Sequence, residues 1–294
     1  MPRGHNIKHK SHVRITVLLL AFVMLFPSFA FAADQPAASV KGTRVFSHAL
    51  TRTDIKKYGT YKGRNATRIP VITYHQIVTD KQKKSKKYKN DNWSISETTF
   101  RQHMNYLHSK HYRTINCDEF YLWYIGKIKL PKRTVLITFD DGNKAATEKA
   151  LPILKKYKLK ATFFIIGKPV HSGGTARFLS EKRVMRIHET YPNVEFQSHT
   201  YNLHYFAAID KGYNVFFNDA KTMNKLYGFN YLAYPYGAKN KTMIRAFRNK
   251  SSGIRMAFSF GDYGFATRKQ NAFSIKRFGI KGKTSFKEFR SWCP

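Results

Sequence analysis

The sequence is poor in acidic residues and in cysteine, and each shortage excludes a class of protein. Its 294 residues include 17 Asp or Glu against 53 Lys or Arg, a formal charge of +36 at pH 7, which an average cytosolic enzyme does not carry. The two cysteines, Cys117 and Cys293, are too few for a disulfide framework or for a zinc site of several thiolates. Any bound metal therefore needs histidine and carboxylate ligands. The hydrophobic share of 42% excludes disorder as the dominant state.

Long apolar runs are also scarce, and the clearest one lies at the start of the chain. Four basic residues precede the run from Ile15 to Phe26, and Ala30-Phe31-Ala32 provides a small-x-small cleavage site. This pattern predicts a signal peptide over residues 1–32 and an exported protein. The run is shorter than the roughly 20 residues that cross a bilayer, so we expect no stable membrane span. An uncleaved anchor is the alternative.

The basic excess limits the partners of an exported chain. It predicts electrostatic association with an anionic cell surface. Nucleic acid is the alternative partner for a basic protein, but the lysines are spread through the chain without a nucleic-acid-binding motif, and we expect no nucleic acid. The densest cluster, Lys81–Lys89, is typical of a solvated loop.

The pattern of the sequence changes after residue 68. Residues 33–68 are polar and basic, which predicts a leader or linker with weak structure. Short apolar runs then alternate with helical periodicity, and the predicted strands are 69–74, 112–115, 134–139, 161–166, 194–198 and 230–234. The runs at 134–139 and 161–166 are apolar throughout, as in parallel strands that are covered on both faces. We therefore predict one α/β domain over residues 69–294.

Polar residues follow four of the predicted strands at their carboxyl ends. They are His75, Asp140-Asp141-Gly142, His199 and Tyr236-Gly237. In α/β folds these ends share one rim, where chemistry is usually built. Two carboxylates, His199 and the nearby His204 suit a metal-assisted hydrolase, although histidines five residues apart need a turn rather than a helix to meet. The alternative interpretations are that the acid pair only ends a strand and that His75 is a core histidine.

Four motifs together resemble one known family. They are Thr138-Phe139-Asp140-Asp141-Gly142, Ala161-Thr162-Phe163-Phe164, the segment Ser198–His204 and Tyr234-Pro235-Tyr236-Gly237. From about Pro70 to Arg290 the chain resembles the polysaccharide deacetylases, also called carbohydrate esterase family four or NodB-homology domains. With Val71–His75 and the His-x4-His spacing, it is most similar to the intercellular adhesin deacetylases of biofilm-forming Gram-positive bacteria. Those enzymes act on poly-β-1,6-N-acetylglucosamine.

The resemblance implies a fold and a set of roles. The fold is a distorted (β/α) barrel that forms a single catalytic domain. Asp141, His199 and His204 would bind a divalent metal, with zinc as the expected ion and nickel or cobalt as alternatives. Asp140 would be the general base. Tyr236 matches the family position whose backbone N–H helps to hold the oxyanion.

Two departures from the family pattern need substitutes. The family usually takes its catalytic acid from a histidine near the C-terminus, but no histidine follows His204 here, so His75 is the expected acid. Ala233 stands where the common Arg-Pro-Pro-Tyr-Gly pattern begins with the arginine that orients the base. Arg277 is the candidate to supply that missing cation. Asp262 is interpreted as a turn residue.

Together these features predict a secreted, cell-surface-associated, monomeric enzyme. It would remove N-acetyl groups from extracellular poly-N-acetylglucosamine, and the partly cationic product would serve adhesion in a biofilm. The alternatives are a peptidoglycan or chitin-oligomer deacetylase, and a noncatalytic polysaccharide-binding protein that shares the fold. The shape of the groove separates the substrates, and Trp93 and Tyr88 are candidate exposed aromatic residues in it.

Overall fold

The computed structural model describes residues 50–294, so the predicted signal peptide lies outside the described residues. The α-helices of this part are α1 Arg52–Gly59, α2 Asp80–Lys84, α3 Lys86–Lys89, α4 Glu97–Ser109, α5 Cys117–Tyr124, α6 Lys144–Lys156, α7 Gly167–His171, α8 Glu181–Thr190, α9 Tyr213–Tyr227, α10 Lys241–Arg248 and α11 Phe286–Trp292. The strands are β1 Arg68–Ile69, β2 Val71–Tyr74, β3 Gln76–Val78, β4 Ser94–Ser96, β5 Arg113–Ile115, β6 Thr134–Phe139, β7 Ala161–Ile165, β8 Val194–Ser198, β9 Tyr231–Ala233, β10 Met256–Phe258, β11 Ala266–Thr267 and β12 Phe278–Gly279.

The main sheet is parallel and curls into a barrel. Its strand order is β10-β9-β8-β7-β6-β2-β12, and β5 also pairs with β6. Ile275, shortly before β12, forms a parallel bridge with Phe258 of β10, while β12 itself pairs with β2. The segment 275–279 thus joins the two edges of the sheet. The prediction of a distorted (β/α) barrel in a single domain is confirmed.

The buried strands explain why the sequence forms this sheet. Every residue of β6, β7 and β8 is buried, because side chains inside the barrel cover one face and helices cover the other. Asn143 begins α6 by accepting a hydrogen bond from the Ala146 N–H, and α6 then carries the chain back to start β7. Each repeat of a strand followed by a helix brings the carboxyl end of its strand to the same rim of the barrel.

The segment before β1 is more ordered than its composition predicts. Thr51 and Asp54 form a capping box that begins α1, and Tyr58 near the end of this helix is buried. Further along, the Trp123 indole N–H donates to the Ala66 carbonyl at 2.8 Å. The prediction of weak structure is therefore wrong for α1, and Tyr58 and Ala66 pack in one apolar cluster with residues of the domain.

The lysine cluster also differs from its prediction. It is solvated, but it forms the short helices α2 and α3 rather than a loop. A capping box between Thr79 and Gln82 begins α2. The Lys83 ammonium donates to the carbonyls of Tyr88 at 2.9 Å and Asp91 at 3.2 Å, so it ties both helices to the strand that follows. No helix in residues 50–294 is both long and apolar enough to cross a membrane.

Candidate active site

The polar residues that follow the strands meet at one rim, as predicted. His75 follows β2, Asp140 and Asp141 follow β6, and His199 follows β8. Because these strands are parallel neighbours in the barrel, their carboxyl ends open on the same side. The residues line a cavity of about 1080 Å³ there, together with His204 and Tyr236.

A tight turn after β6 sets the two carboxylates. Asp141 has φ 74° and Gly142 φ 70°, a left-handed conformation that favours glycine. A Cβ on Gly142 would lie 2.9 Å from the Ile165 Cγ2 atom, so β7 also approaches too closely for a larger residue. The turn leaves Asp140 3% exposed and Asp141 at the cavity.

Asp141, His199 and His204 form a cluster that fits a divalent metal. The Asp141 Oδ1 atom lies 3.4 Å from the His199 Nε2 and 3.1 Å from the His204 Nε2, and one donor atom from each residue lies within 4.8 Å of the others. His199 Nδ1 is 2.9 Å from the Ala233 carbonyl oxygen, which leaves Nε2 as the donor that faces the cluster. Two imidazoles and one carboxylate are the donor set of catalytic rather than structural zinc sites.

The charge of Asp141 suits the same ion. Burial alone would raise the pKa of this carboxyl group, but hydrogen bonds from His199 and His204, together with the charges of His199 and His75, hold the pKa well below its usual range. The carboxylate is therefore ionised at neutral pH. A bound divalent cation would take the place of the protons on the two Nε2 atoms that face this carboxylate, because a metal requires ionised carboxylate and unprotonated imidazole ligands.

A buried carboxylate holds the turn between the two histidines. Asp219 of α9 accepts hydrogen bonds from the Tyr201 N–H at 2.8 Å and the Asn202 N–H at 2.9 Å, one on each oxygen. Thr200 in the same turn has φ 67°. This is the turn that the spacing of the histidines requires, and α9 supplies the contact that fixes it. Burial raises the pKa of Asp219 to about 6.

Arg277 replaces the cation that Ala233 does not provide. Its Nη1 and Nη2 atoms donate to the two Asp140 oxygens at 2.8 Å each, and its Nε donates to the Ser259 carbonyl at 2.8 Å. The guanidinium is fully buried. Burial alone would raise the pKa of Asp140, but the charge and hydrogen bonds of Arg277, together with the charges of His199 and His75, outweigh burial, and the net pKa is lowered. The predicted pairing is thus present as a bidentate contact, while its catalytic role stays a prediction.

His75 lies beside this ion pair. Its Nε2 is 3.9 Å from the Asp140 Oδ2, and its ring packs against Trp93 and Phe260 at centroid distances of 4.8 and 5.4 Å. Burial lowers the pKa of His75, although the charges of Asp140 and Asp141 act in the opposite direction. Within residues 50–294 its buried Nδ1 has no hydrogen-bond partner. His75 is therefore at the cavity, and not in the core as the alternative interpretation had it.

Tyr236 borders the cavity on the side of His204. Its φ is 58°, its side chain is 45% exposed, and its hydroxyl lies 3.3 Å from the His204 Nδ1. Its ring stacks on Phe206 at 4.2 Å. The next residue, Gly237, has φ 69°, and a Cβ there would lie 2.3 Å from the Phe260 carbonyl oxygen. Glycine thus lets the turn that carries Tyr236 pass directly over the segment of Phe260.

Several residues at the site are not evident from the sequence. Phe206, Phe260 and Asp219 have no motif around them that signals a functional position. Phe260 and Asp219 belong to other parts of the chain, and Phe206, although only two residues after His204, is identified by its stacking on Tyr236. Trp93, an expected groove aromatic residue, does line the cavity. Asp262 lies outside it, exposed and paired with Lys239 at 2.8 Å, as expected for a turn residue.

Comparison with known proteins agrees with this geometry. Residues 127–256 match the polysaccharide deacetylase family. A poly-beta-1,6-N-acetyl-D-glucosamine N-deacetylase of Staphylococcus epidermidis is 33% identical over 184 residues, which are 57% of this chain and 62% of that protein. The protein of the same name from Staphylococcus aureus strain N315 is 32% identical over 203 residues, 63% of this chain and 67% of that protein.

A solved structure extends the likeness to the fold. The Streptococcus pyogenes deacetylase PplD, solved in complex with acetate, aligns with a TM-score of 0.68 at 23% identity and covers 78% of this chain and 99% of its own. Identity this low shows the fold alone. The sequence relatives carry the assignment further, because the Staphylococcus aureus protein is 32% identical and 67% of its length is covered. The chain belongs to the polysaccharide deacetylase family of enzymes.

Proposed function

We propose that this chain is an exported, metal-dependent N-deacetylase of poly-β-1,6-N-acetyl-D-glucosamine. The names of the staphylococcal relatives support the substrate. One observation supports the chemistry above all others: Asp140, held by Arg277, lies within reach of His75 and next in sequence to Asp141 of the metal-ligand cluster. A noncatalytic sugar-binding protein would have no use for a buried ion pair at this place, since burying two charges is costly.

A bound metal ion would supply the Lewis acid. Asp141, His199 and His204 would hold the ion, for which zinc is the proposed identity, and nickel and cobalt suit the same donors. When bound, the ion polarises the amide carbonyl and lowers the pKa of a water molecule. This chemistry suits an acetamide group, which is otherwise a weak electrophile.

Asp140 takes the proton from the attacking water. Its lowered pKa keeps the carboxylate ionised at neutral pH, so it can act as the base. Each of its oxygens accepts one hydrogen bond from Arg277, and a carboxylate oxygen can accept a second. The bidentate contact therefore fixes the carboxylate plane and leaves acceptor capacity for the water.

His75 gives a proton to the departing amine. The glucosamine nitrogen is a poor leaving group until it is protonated, and His75 is the imidazole nearest to Asp140 that is not in the metal-ligand cluster. Its lowered pKa makes the protonated ring a stronger acid, and the proton that Asp140 takes from the water can supply the ring, whose Nε2 lies 3.9 Å from the Asp140 Oδ2. The backbone N–H of Tyr236 would donate to the oxyanion of the tetrahedral intermediate. The positive φ of Tyr236 would help to orient this N–H.

The proposed location follows from the charge and the start of the chain. The signal-like segment at 1–32 and the formal charge of +36 support an exported monomer that is retained at an anionic cell surface. Its product carries free amines and is partly cationic at neutral pH. Such a polymer adheres to anionic surfaces, which suits a role in a biofilm matrix.

Acetate release from three polymers tests the substrate. Purified protein with one equivalent of zinc is incubated with poly-β-1,6-N-acetylglucosamine, peptidoglycan or chitin oligomers, and Asp140→Asn protein is the matched control. The proposal predicts release from the first polymer at a rate at least about tenfold above the other two, and none from the control. Faster release from peptidoglycan or chitin would assign the chain to the alternative substrate. Sugar binding without any release would leave the noncatalytic alternative.

A further inference from the structure

A side groove opens from the active-site cavity. A second cavity of about 620 Å³ shares Gln76, Asp91, Asn143 and Arg177 with the lining of the first, so the two are continuous. Tyr88 and Lys87 complete one wall of the side groove. The polar, uncharged side chains of Gln76, Tyr88 and Asn143 suit the hydroxyl and amide groups of a sugar. The side groove is thus in position to take a neighbour of the reacting sugar.

The lysine cluster lies along this side groove. Six lysines occur between residues 81 and 89, and five of them are exposed on α2 and α3. The ion pairs found in the described part of the chain all involve other basic residues. Lys87 therefore brings positive charge to the lining of the side groove, and Lys86 and Lys89 are exposed on the same helix. Arg177 also lines the groove, but its Nη2 lies 3.9 Å from the Asp141 Oδ2.

Among residues 50–294, Asp91 is the one carboxylate that lines the side groove. Its Oδ1 accepts the Trp93 N–H at 3.0 Å, and its carbonyl accepts the Lys83 ammonium at 3.2 Å. One oxygen of the Asp91 carboxylate thus already accepts a hydrogen bond, and the Lys83 ammonium lies close to the Asp91 backbone. The local balance at the groove stays positive, because Lys83 and Lys87 outnumber Asp91, while the charge of Arg177 is offset by Asp141 at 3.9 Å.

We infer that the side groove is a subsite for an N-acetylated sugar and discriminates against a sugar that already carries a free amine. The inference rests on the proposed function. N-acetylglucosamine is neutral, whereas de-N-acetylated glucosamine is a cation at neutral pH and meets like charges in the groove. Unit charges less than a Debye length apart, about 8 Å at physiological salt, still repel through water.

This discrimination would control the pattern of the product. Suppose that one sugar has lost its acetyl group. When the next sugar along the polymer enters the active site, the first sugar must occupy the side groove, and its free amine makes that binding weaker. Free amines would then be spaced along the polymer rather than clustered. Deacetylation would stop at a partial level that rises with salt.

Binding of defined oligomers tests the inference without turnover. Calorimetry with zinc-loaded Asp140→Asn protein compares a fully acetylated β-1,6-linked pentamer with pentamers that carry one free amine on either side of the central sugar. At 20 mM salt we expect one of the two amine positions to weaken binding about tenfold, and 0.5 M salt to remove most of this difference. Adding Lys86→Gln, Lys87→Gln and Lys89→Gln together should bring the ratio of the two dissociation constants, amine-bearing over fully acetylated pentamer, close to one.

A matched triple variant controls for net charge. Lys56→Gln, Lys57→Gln and Lys62→Gln remove three exposed lysines that do not line either cavity, and they should leave the ratio unchanged. Three outcomes would overturn this inference but not the proposed function. They are equal binding of all pentamers by the Asp140→Asn parent, tighter binding of an amine-bearing pentamer, and the same loss of discrimination in both triple variants. Failure of the parent to bind any pentamer would overturn the proposed substrate and this inference together.

Discussion

The contact between Asp140 and Arg277 joins two fully buried groups of opposite charge. Each group is costly to bury by itself, and the pair persists because two short hydrogen bonds and the Ser259 carbonyl satisfy it. The guanidinium also fixes the orientation of the carboxylate that we propose as the base. Stability and activity should therefore both depend on this one side chain.

Replacing Arg277 tests this dependence. Arg277→Gln leaves the Asp140 carboxylate buried without its cation, so we expect a loss of about 3–5 kcal/mol in the free energy of unfolding and a fall of about 100-fold or more in acetate release. Both are measured on purified protein. Arg101→Gln, which removes a surface guanidinium paired with Glu97, is the control and should change neither.

A double variant separates the effect of Arg277 on stability from its effect on activity. Adding Asp140→Asn to Arg277→Gln removes the unpaired carboxylate, so the double variant should recover part of the lost stability while it stays inactive. If Arg277→Gln alone keeps full activity, the base is held in some other way and the proposed role of Arg277 is wrong.

The acid role of His75 can be isolated by the leaving group. His75→Gln should slow acetate release from the amide substrate by about 100-fold to 10,000-fold. It should slow hydrolysis of an activated aryl acetate far less, because a phenolate leaves without a proton. His171→Gln, which changes an exposed imidazole, serves as the control. Equal losses on both substrates would mean that His75 does not act as an acid.

At the scale of structural elements, α9 is the element that holds the turn of the metal-ligand candidates. Asp219→Ala would free the N–H groups of Tyr201 and Asn202 and loosen the positions of His199 and His204. We expect zinc affinity to fall about 10-fold to 100-fold, measured by competition with a chromogenic chelator. Asn218→Ala on the same helix is exposed and should bind zinc as the parent does. Unchanged zinc affinity in Asp219→Ala would show that the turn keeps its conformation without the Asp219 carboxylate.

Local patterns predict the elements that bury most of their surface. β6 and β7 are predicted from the sequence because they are apolar throughout, and Asn143 marks the start of α6. The helices α1, α2 and α3 are missed because they are short and polar, so that the capping boxes of α1 and α2, rather than an apolar stripe, mark where these two helices begin. Such boxes are weak signals in a chain so rich in threonine and lysine.

The site divides in the same way. His75, Asp140 and His199 are predictable because parallel strands bring their carboxyl ends together. Arg277 is proposed only because this chain has Ala233 where the family pattern has arginine, and the long separation of Arg277 from Asp140 in sequence conceals their contact. Asp219 cannot be predicted, since its contact depends on how α9 packs over the turn.

At the scale of the whole molecule, stability should fall as pH rises because of a carboxyl group inside the barrel. Glu195 of β8 is buried, and its Oε1 accepts the Cys117 N–H at 2.7 Å. Burial, aided by the charge of Asp118, raises its pKa from 4.5 to about 7. The folded state therefore binds more protons than the unfolded state between these values. Stability should fall by about 3 kcal/mol as pH rises through this window.

Urea unfolding at pH 5 and pH 8 measures this effect. Glu195→Gln should lose much less stability between the two pH values than the parent does. Asp219 titrates in the same direction, so the difference between variant and parent isolates the share of Glu195. Glu189→Gln changes an exposed carboxyl group and should follow the parent. A Glu195→Gln variant with the pH dependence of the parent would contradict the prediction.

The central claim is that one metal ion, held by Asp141, His199 and His204, works with a base that does not hold the ion. Acetate release from poly-β-1,6-N-acetylglucosamine by Asp140→Asn protein of known metal content tests it most directly. We predict one zinc ion per chain in both parent and variant, with release by the variant below about 1% of the parent rate and release by the parent abolished by chelator. Zinc-loaded Asp140→Asn protein that works at the parent rate, or a parent that works without metal, would contradict the account.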